Sequence, residues 1–347
     1  MKLRFVRVAL LSISVLITSV AHAGPYSNLY IFGDSLSDTG NLALASGGGL
    51  PPLPAGSGFN GPYYGNALLS NGPVWTEHLA TGLGLSPMTA APSLMGGNNY
   101  AFAGALTDTS STPPSVLAQI GGPKAAGLFG ANPFDMTVAD PSALYVVIAG
   151  GNDMRAARSM FMGNTAADMD GRQAAAVAAM TNLTTSIAVL ASLGAKHFLV
   201  STVPNLGYTP EAALLGLVDA STDATTRLNS MLPSLTLFGQ SLGLDMYMLD
   251  MAKLTDDIVT DAVFRASVGI TNFDTPCAGF EYSAGASCDQ FLFADVLHPS
   301  GYAHTLIAKA ALEALGIPEP SSLPLVLLAL MSFALVTRRN AIRQKGE

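Results

Sequence analysis

Ser35, in the stretch 31–41, and the pair Asp295 and His298, far down the chain, are three residue types that together can hydrolyse an ester. A serine hydroxyl attacks a carbonyl poorly until a histidine takes its proton. The histidine works best when a carboxylate fixes its tautomer and steadies the imidazolium. Ser35 is the candidate nucleophile, His298 the candidate base and Asp295 the candidate orienting carboxylate. Their separation of three puts Asp295 and His298 on one side of a single turn. The alternatives are a helix-capping aspartate beside a surface histidine, or a metal pair completed by His304, although no zinc-type spacing accompanies them.

Short apolar runs at 28–32, 143–149, 197–202 and 244–249 read as strands. Helical patterns at 74–81, 174–193, 221–242, 253–266 and 300–315 alternate with or follow them. That order predicts an α/β fold, a three-layer α/β/α sandwich with a mainly parallel sheet, in which reactive groups gather beyond the C-terminal ends of the strands. Ser35 stands at such an end. Gly33 is expected to permit a tight strand-to-helix turn that leaves the Ser35 N–H at a helix start, where negative charge is welcome. A serine N-cap without chemistry is the plainer reading. The stretches 46–66 and 110–133 are rich in glycine and proline and read as long loops.

Both ends of the chain look like processing segments. Lys2, Arg4 and Arg7, the apolar run 8–20 and Ala21-His22-Ala23 have the order of a secretory signal peptide, with cleavage by signal peptidase expected after Ala23. At the other end, 317–347 carries Pro318-Glu319-Pro320, an apolar run 323–336 and then Arg338 and Arg339. It resembles the PEP-CTERM sorting signal of bacterial surface and exopolysaccharide-associated proteins, which implies reading by an exosortase and removal of the tail. The alternative is a C-terminal membrane anchor with its positive charges cytoplasmic. Residues 24–316 then form one domain, exported to the surface or matrix of a Gram-negative bacterium and touching the membrane only transiently.

The net charge of the chain is −8, and seven of its 16 basic residues lie in those two terminal segments. A Lys-poor, acidic domain does not bind nucleic acid or anionic membrane by charge. Cys277 and Cys288 are the two cysteines. In an exported protein an even pair at short spacing reads as a disulfide that stiffens the loop ahead of Asp295.

Gly33-Asp34-Ser35-Leu36, extended by Ser37-Asp38-Thr39-Gly40-Asn41, resembles the first sequence block of the GDSL (SGNH) hydrolase family. Ser37 stands where a Gly-x-Ser-x-Gly elbow has its second glycine, which disfavours the α/β-hydrolase lipase reading. The stretch 96–105 resembles the second block, Gly150-Gly151-Asn152-Asp153 the third, and Asp295-Val296-Leu297-His298-Pro299 the fifth. Ser70 to Trp75 and Cys288 to Asp295 add local likeness to lipase-like members. Pro73 and Ala294 depart from that pattern, where a basic residue and a tryptophan are frequent; both touch pocket shape more than chemistry.

The resemblance implies an SGNH-hydrolase, flavodoxin-like fold and a lipase or esterase acting on acyl esters, of lipid or of acylated polysaccharide, with no metal or organic cofactor. It implies an oxyanion hole from the Ser35 N–H, the Gly104 N–H and the Asn152 side chain. Acyl transfer and exopolysaccharide deacetylation on the same site are the alternatives, and a non-catalytic matrix protein is the remote one. Asp34, Asp38, Asn41 and Asp153 are expected to cap helices and hold loops. Trp75, His78, His197 and His304 are expected to be structural.

Overall fold

The computed structural model describes residues 25–48, 68–110, 112–121, 139–277 and 288–317. The expected leader, the sorting tail from Pro318 onward and most of the 46–66 loop lie outside the described residues.

Four parallel strands, β1 (Leu29–Gly33), β2 (Leu144–Ile148), β3 (His197–Ser201) and β4 (Asp245–Leu249), form a sheet in the order of the chain. Leu29 pairs with Leu144, Leu144 with His197 and His197 with Asp245. Successive residues point to opposite faces, so each strand feeds two cores. On one face Leu29, Ile31, Val146 and Leu199 pack with Trp75 and Leu79 of α2 (Trp75–Gly82) and with Ala311 and Leu312 of α10 (Gly301–Ala314). On the other, Phe32, Tyr145, Val147 and Phe198 meet Leu183 and Ile187 of α5 (Ala166–Ser192) and Leu232 of α7 (Val218–Ser241). The sandwich is therefore three layers, as the alternating pattern predicts.

Two short helices, α1 (Asn41–Ala45) and α3 (Val116–Gly121), lie between β1 and β2. Helix α4 (Gly151–Met160) directly follows β2, α6 (Pro210–Leu215) follows β3, and α8 (Met251–Thr260) and α9 (Ala262–Ser267) follow β4.

Several boundaries differ from the sequence reading. The 110–133 stretch is not all loop, because α3 forms within it and buries Val116, Gln119 and Ile120. Helix α5 begins eight residues early, at a capping box in which the Thr165 hydroxyl accepts from Asp168 N and the Asp168 carboxylate accepts from Thr165 N. The single helix expected at 253–266 is two, since Asp261 is extended and its carboxylate accepts from the N–H groups of Val263 and Phe264, starting a new helix.

The outer edge of β1 is covered by irregular chain. Ile31 N donates to Asn98 O (3.0 Å), Tyr100 N to Ile31 O (2.7 Å) and Phe102 N to Gly33 O (3.1 Å). Beyond it, the buried Gln119 side chain accepts from Gly33 N (2.9 Å) and donates to Gly33 O (2.8 Å), completing the strand's last pair as a neighbouring strand would.

Candidate active site

β1 ends at Gly33, and the reason for glycine is proximity: a Cβ there would lie 2.5 Å from the carbonyl oxygen of Ile148 on β2. The strand-to-helix turn expected from the sequence is a separate single turn, with the first helix starting only at Asn41. Ser37 N and Asp38 N both donate to Asp34 O (3.0 Å each), and Asp34 Oδ1 accepts from Leu36 N (3.0 Å). Ser35 rides on this turn. The buried Asp38 carboxylate accepts from Gly40, Asn41 and Leu42 N (2.8, 2.6 and 3.1 Å) and from Ala103 N (2.8 Å). Trp75 Nε1 donates to Ser37 Oγ (3.2 Å) and Asn99 Nδ2 to Ser37 O (2.6 Å), clamping the turn from two sides.

The structure brings Asp295 and His298 to that turn from 260 residues away or more. Asp295 is fully buried; its Oδ1 accepts from Leu297 N (2.7 Å) and His298 N (2.6 Å), fixing the carboxylate. Its other oxygen lies 2.7 Å from His298 Nδ1, and His298 Nε2 lies 2.9 Å from Ser35 Oγ. The network assigns the ring proton to Nδ1, donated to Asp295, which leaves Nε2 to accept from the Ser35 hydroxyl. Ser70 Oγ donates to Pro299 O (2.9 Å) and Gly301 N to Asn71 Oδ1 (2.9 Å), so the Ser70 to Trp75 segment braces the chain just beyond His298.

Gly104 adopts φ +84°, a left-handed conformation that favours glycine. Its neighbours are both anchored: Ala103 N donates to Asp38, on the side of the Ser35 turn, and Ala105 O accepts from Asn152 Nδ2 (3.0 Å), on α4. Gly104 is thereby held between the Ser35 turn and Asn152. The N–H groups of Ser35 and Gly104 carry no hydrogen bond among the described residues, and Asn152 Nδ2 has a second hydrogen to give. Asn152 lies in the first turn of α4, a helix absent from the sequence reading, which took Gly150-Gly151-Asn152 as following a strand without a helix. Asp153, beside it, accepts from Thr107 N (3.1 Å) and Thr107 Oγ1 (2.8 Å), stitching the same loop to the same helix.

Two charged features escaped the sequence reading. Burial pushes the Asp34 carboxyl up to about 6, against the pull of the Leu36 N–H and of His298. On α4, Arg155 lies one turn beyond Asn152; its Nε donates to Glu211 Oε2 (2.9 Å) and its Nη2 to Oε1. The same carboxylate takes Arg158, a fully buried side chain that also donates to Ser221 Oγ (2.8 Å). Burial raises the Glu211 carboxyl, but the two guanidinium groups outweigh it and hold it below the usual range. An arginine one turn from Asn152 signals this only once α4 is recognised.

Ser35, Asn152 and His298 share one cleft of about 820 Å³, part of it open to solvent. Its walls beyond them are mostly apolar, and Gly104, which is exposed, is not among its lining residues. Cys277 and Cys288 are joined in a disulfide (Cα–Cα 5.8 Å), and Cys277 N donates to Phe293 O (3.0 Å), fastening a lining residue of the cleft.

The description of the GDSL-like lipase/acylhydrolase family matches residues 29–311, nearly the whole described chain. The chain belongs to this family. Among curated relatives, an "Uncharacterized protein in trpE-trpG intergenic region" of Pseudomonas putida is 28% identical over 86% of this chain and 50% of that protein. Lipase 1 of Photorhabdus luminescens is 30% identical over 58% of this chain and 26% of that lipase. A phosphatidylcholine-sterol acyltransferase of Aeromonas hydrophila is 26% identical over 83% of this chain and 78% of the acyltransferase. The chain thus spans half or less of the length of the first two.

Proposed function

We propose that this family member is an exported serine ester hydrolase that works through an acyl-enzyme. The observation that carries the reading is the unbroken chain of contacts from Asp295 through His298 to Ser35. In this mechanism Ser35 Oγ attacks the acyl carbonyl as His298 Nε2 takes its proton, and Asp295 steadies the imidazolium. The Ser35 and Gly104 N–H groups and the Asn152 amide receive the oxyanion, donors of the kind worth a hundredfold or more in rate. His298 then protonates the leaving alcohol, and a water activated by the same histidine frees the acyl group. The Cys277–Cys288 disulfide supports an oxidising compartment, in keeping with the leader and the PEP-CTERM-like tail of the sequence. Signal peptidase and an exosortase are the processing partners of this reading, and the cell surface or matrix is its location.

The test is p-nitrophenyl ester hydrolysis by the purified chain and by Ser35→Ala. Loss of at least a thousandfold in kcat is expected; retention of activity in Ser35→Ala refutes the assignment. Likeness to a protein named as an acyltransferase favours a second reading, in which an alcohol replaces water at the last step. Supplying an alcohol acceptor and measuring the ratio of new ester to free acid separates transfer from hydrolysis.

A further inference from the structure

Arg155 stands in the wall of the cleft, and we infer that its guanidinium receives an anionic group, a carboxylate or a phosphate, carried by the substrate close to the ester that Ser35 cleaves. The inference rests on the ester-hydrolase reading and names its substrate class: an ester with negative charge within a few bonds of the scissile carbonyl, in preference to a neutral one.

A guanidinium has two edges that can each hold an oxyanion through a pair of parallel N–H groups. Glu211 fills one of them on Arg155: Nε donates to Glu211 Oε2 (2.9 Å) and Nη2 to Oε1. The other edge, formed by Nη1 and the second hydrogen of Nη2, carries no hydrogen bond among the described residues. The side chain is 44% exposed and lines the same cleft as Ser35, Asn152 and His298. A spacing of three on α4 makes Arg155 and Asn152 neighbours on the helix surface, so an anion on that edge lies beside the amide that faces the reacting carbonyl.

Charge points the same way. Arg158 shares the Glu211 carboxylate and is 1% exposed, so the carboxylate already has a buried cation that depends on it. Arg155 adds a second positive charge to that one negative charge, which the burial of Arg158 does not require. The surplus sits in a chain of net charge −8, in a cleft lined by no other lysine or arginine among the described residues. Its Glu211 hydrogen bonds first, and also the charge of Asp295, hold Arg155 protonated, which puts the guanidinium and the Asp295–His298 pair in one electrostatic neighbourhood. A neutral substrate leaves the open edge to water, whereas an anion gains a charge-assisted fork there, selecting it by about tenfold at this exposure.

The experiment measures kcat/KM for matched esters that differ in one charged group. The p-nitrophenyl half-ester of adipate is compared with its terminal amide, and 3-carboxyphenyl butyrate and 3-(phosphonooxy)phenyl butyrate with 3-carbamoylphenyl butyrate. The first comparison puts the anion on the acyl side; the others put a carboxylate or a phosphate on the alcohol side. The full chain is expected to prefer the anionic member of at least one comparison about tenfold, through KM, and to lose that preference as salt is raised. Arg155→Gln should abolish the preference, and Arg155→Lys, which keeps the charge without the fork, should restore part of it. A merely structural Arg155 would slow both members alike and leave their ratio and its salt dependence unchanged, and that result overturns the inference. So does a full chain with no preference for the anion in any comparison. Either outcome leaves the hydrolase reading standing where cleavage is lost in Ser35→Ala. No Ser35-dependent cleavage of any of these esters overturns both.

Discussion

The backbone N–H of Glu211, at the start of α6, donates to the carbonyl of Val296 (2.8 Å), inside the turn that presents His298. The side chain of the same residue grips Arg155 and Arg158 of α4, the helix that carries Asn152. One residue therefore ties the turn bearing His298 to the helix bearing Asn152.

Replacing Glu211 by Gln removes the carboxylate that Arg155 and Arg158 share. Arg158 is 1% exposed and would stay charged in the interior, whereas Arg155, whose side chain is 44% exposed, can turn to water. Breaking such a pair from one side costs about 3–5 kcal/mol. Urea unfolding should show Glu211→Gln losing about that much and Arg155→Ala about 1 kcal/mol. Equal losses in the two variants would mean that Arg158 does not depend on Glu211.

Asp34 should leave a mark on the pH dependence of stability. Its folded carboxyl titrates at about 6, above the ordinary 3.8, because burial disfavours the charge. The folded state therefore binds a proton more tightly than the unfolded one. The contribution is full below pH 4 and is lost as pH rises through 6, a change on the order of 3 kcal/mol. Asp34→Asn stays neutral throughout, so its stability relative to the parent should grow between pH 4 and pH 7 in urea unfolding. A constant difference would place Asp34 at an ordinary carboxylate value.

Asn152→Ala should lower kcat on a nitrophenyl ester by about 10²–10³ with little change in KM, because the donor acts where charge develops. The same substitution unties Ala105 O, next to Gly104. Asn152→Asp, which keeps the size but presents an acceptor to an anion, should be at least as poor. An Asp variant near parental kcat would remove the amide from the oxyanion site.

Gln119→Leu should destabilise by about 1–3 kcal/mol, since Gly33 N would lose its partner in a buried position. Activity should fall alongside stability, because Gly33 lies two residues from Ser35. Gln119→Glu offers the acceptor but not the donor and should fall between. Thermal melts of the three proteins check the order.

Gln119 also shows where sequence legibility ended. Ser35, Asp295 and His298 were readable as candidates because each lies in a short stretch with a local pattern, and the structure brings the three within hydrogen-bond distance. The four strands were readable because a short apolar run bounded by turn residues is a local signal, whereas their register depends on pairing across the sheet and was not. Gln119 and Glu211 were not, since their value comes from partners 86 and 85 residues away, at Gly33 and Val296. Helix α4 was missed because its opening Gly150-Gly151 reads as a turn; Gly150 does adopt φ +113°, but as the residue that starts the helix. The break at Asp261 was missed because an aspartate in an apolar periodic pattern reads as a solvent-facing position until its side chain is seen capping the next helix.

The chain at 98–102 that seals the outer edge of β1 leads within two residues to Gly104. A strand edge with bare N–H and C=O groups invites pairing with other chains. At the opposite edge, β4 opens with Asp245, whose side chain is 61% exposed, and a charge of that kind discourages such pairing. β1 has no such charge: its sequence is Leu-Tyr-Ile-Phe-Gly, and its protection is the cover alone. Substitutions that loosen the cover will show up as insoluble protein, and selecting for solubility in this chain will also select for an intact stretch between Asn98 and Gly104, beside the Ser35 turn.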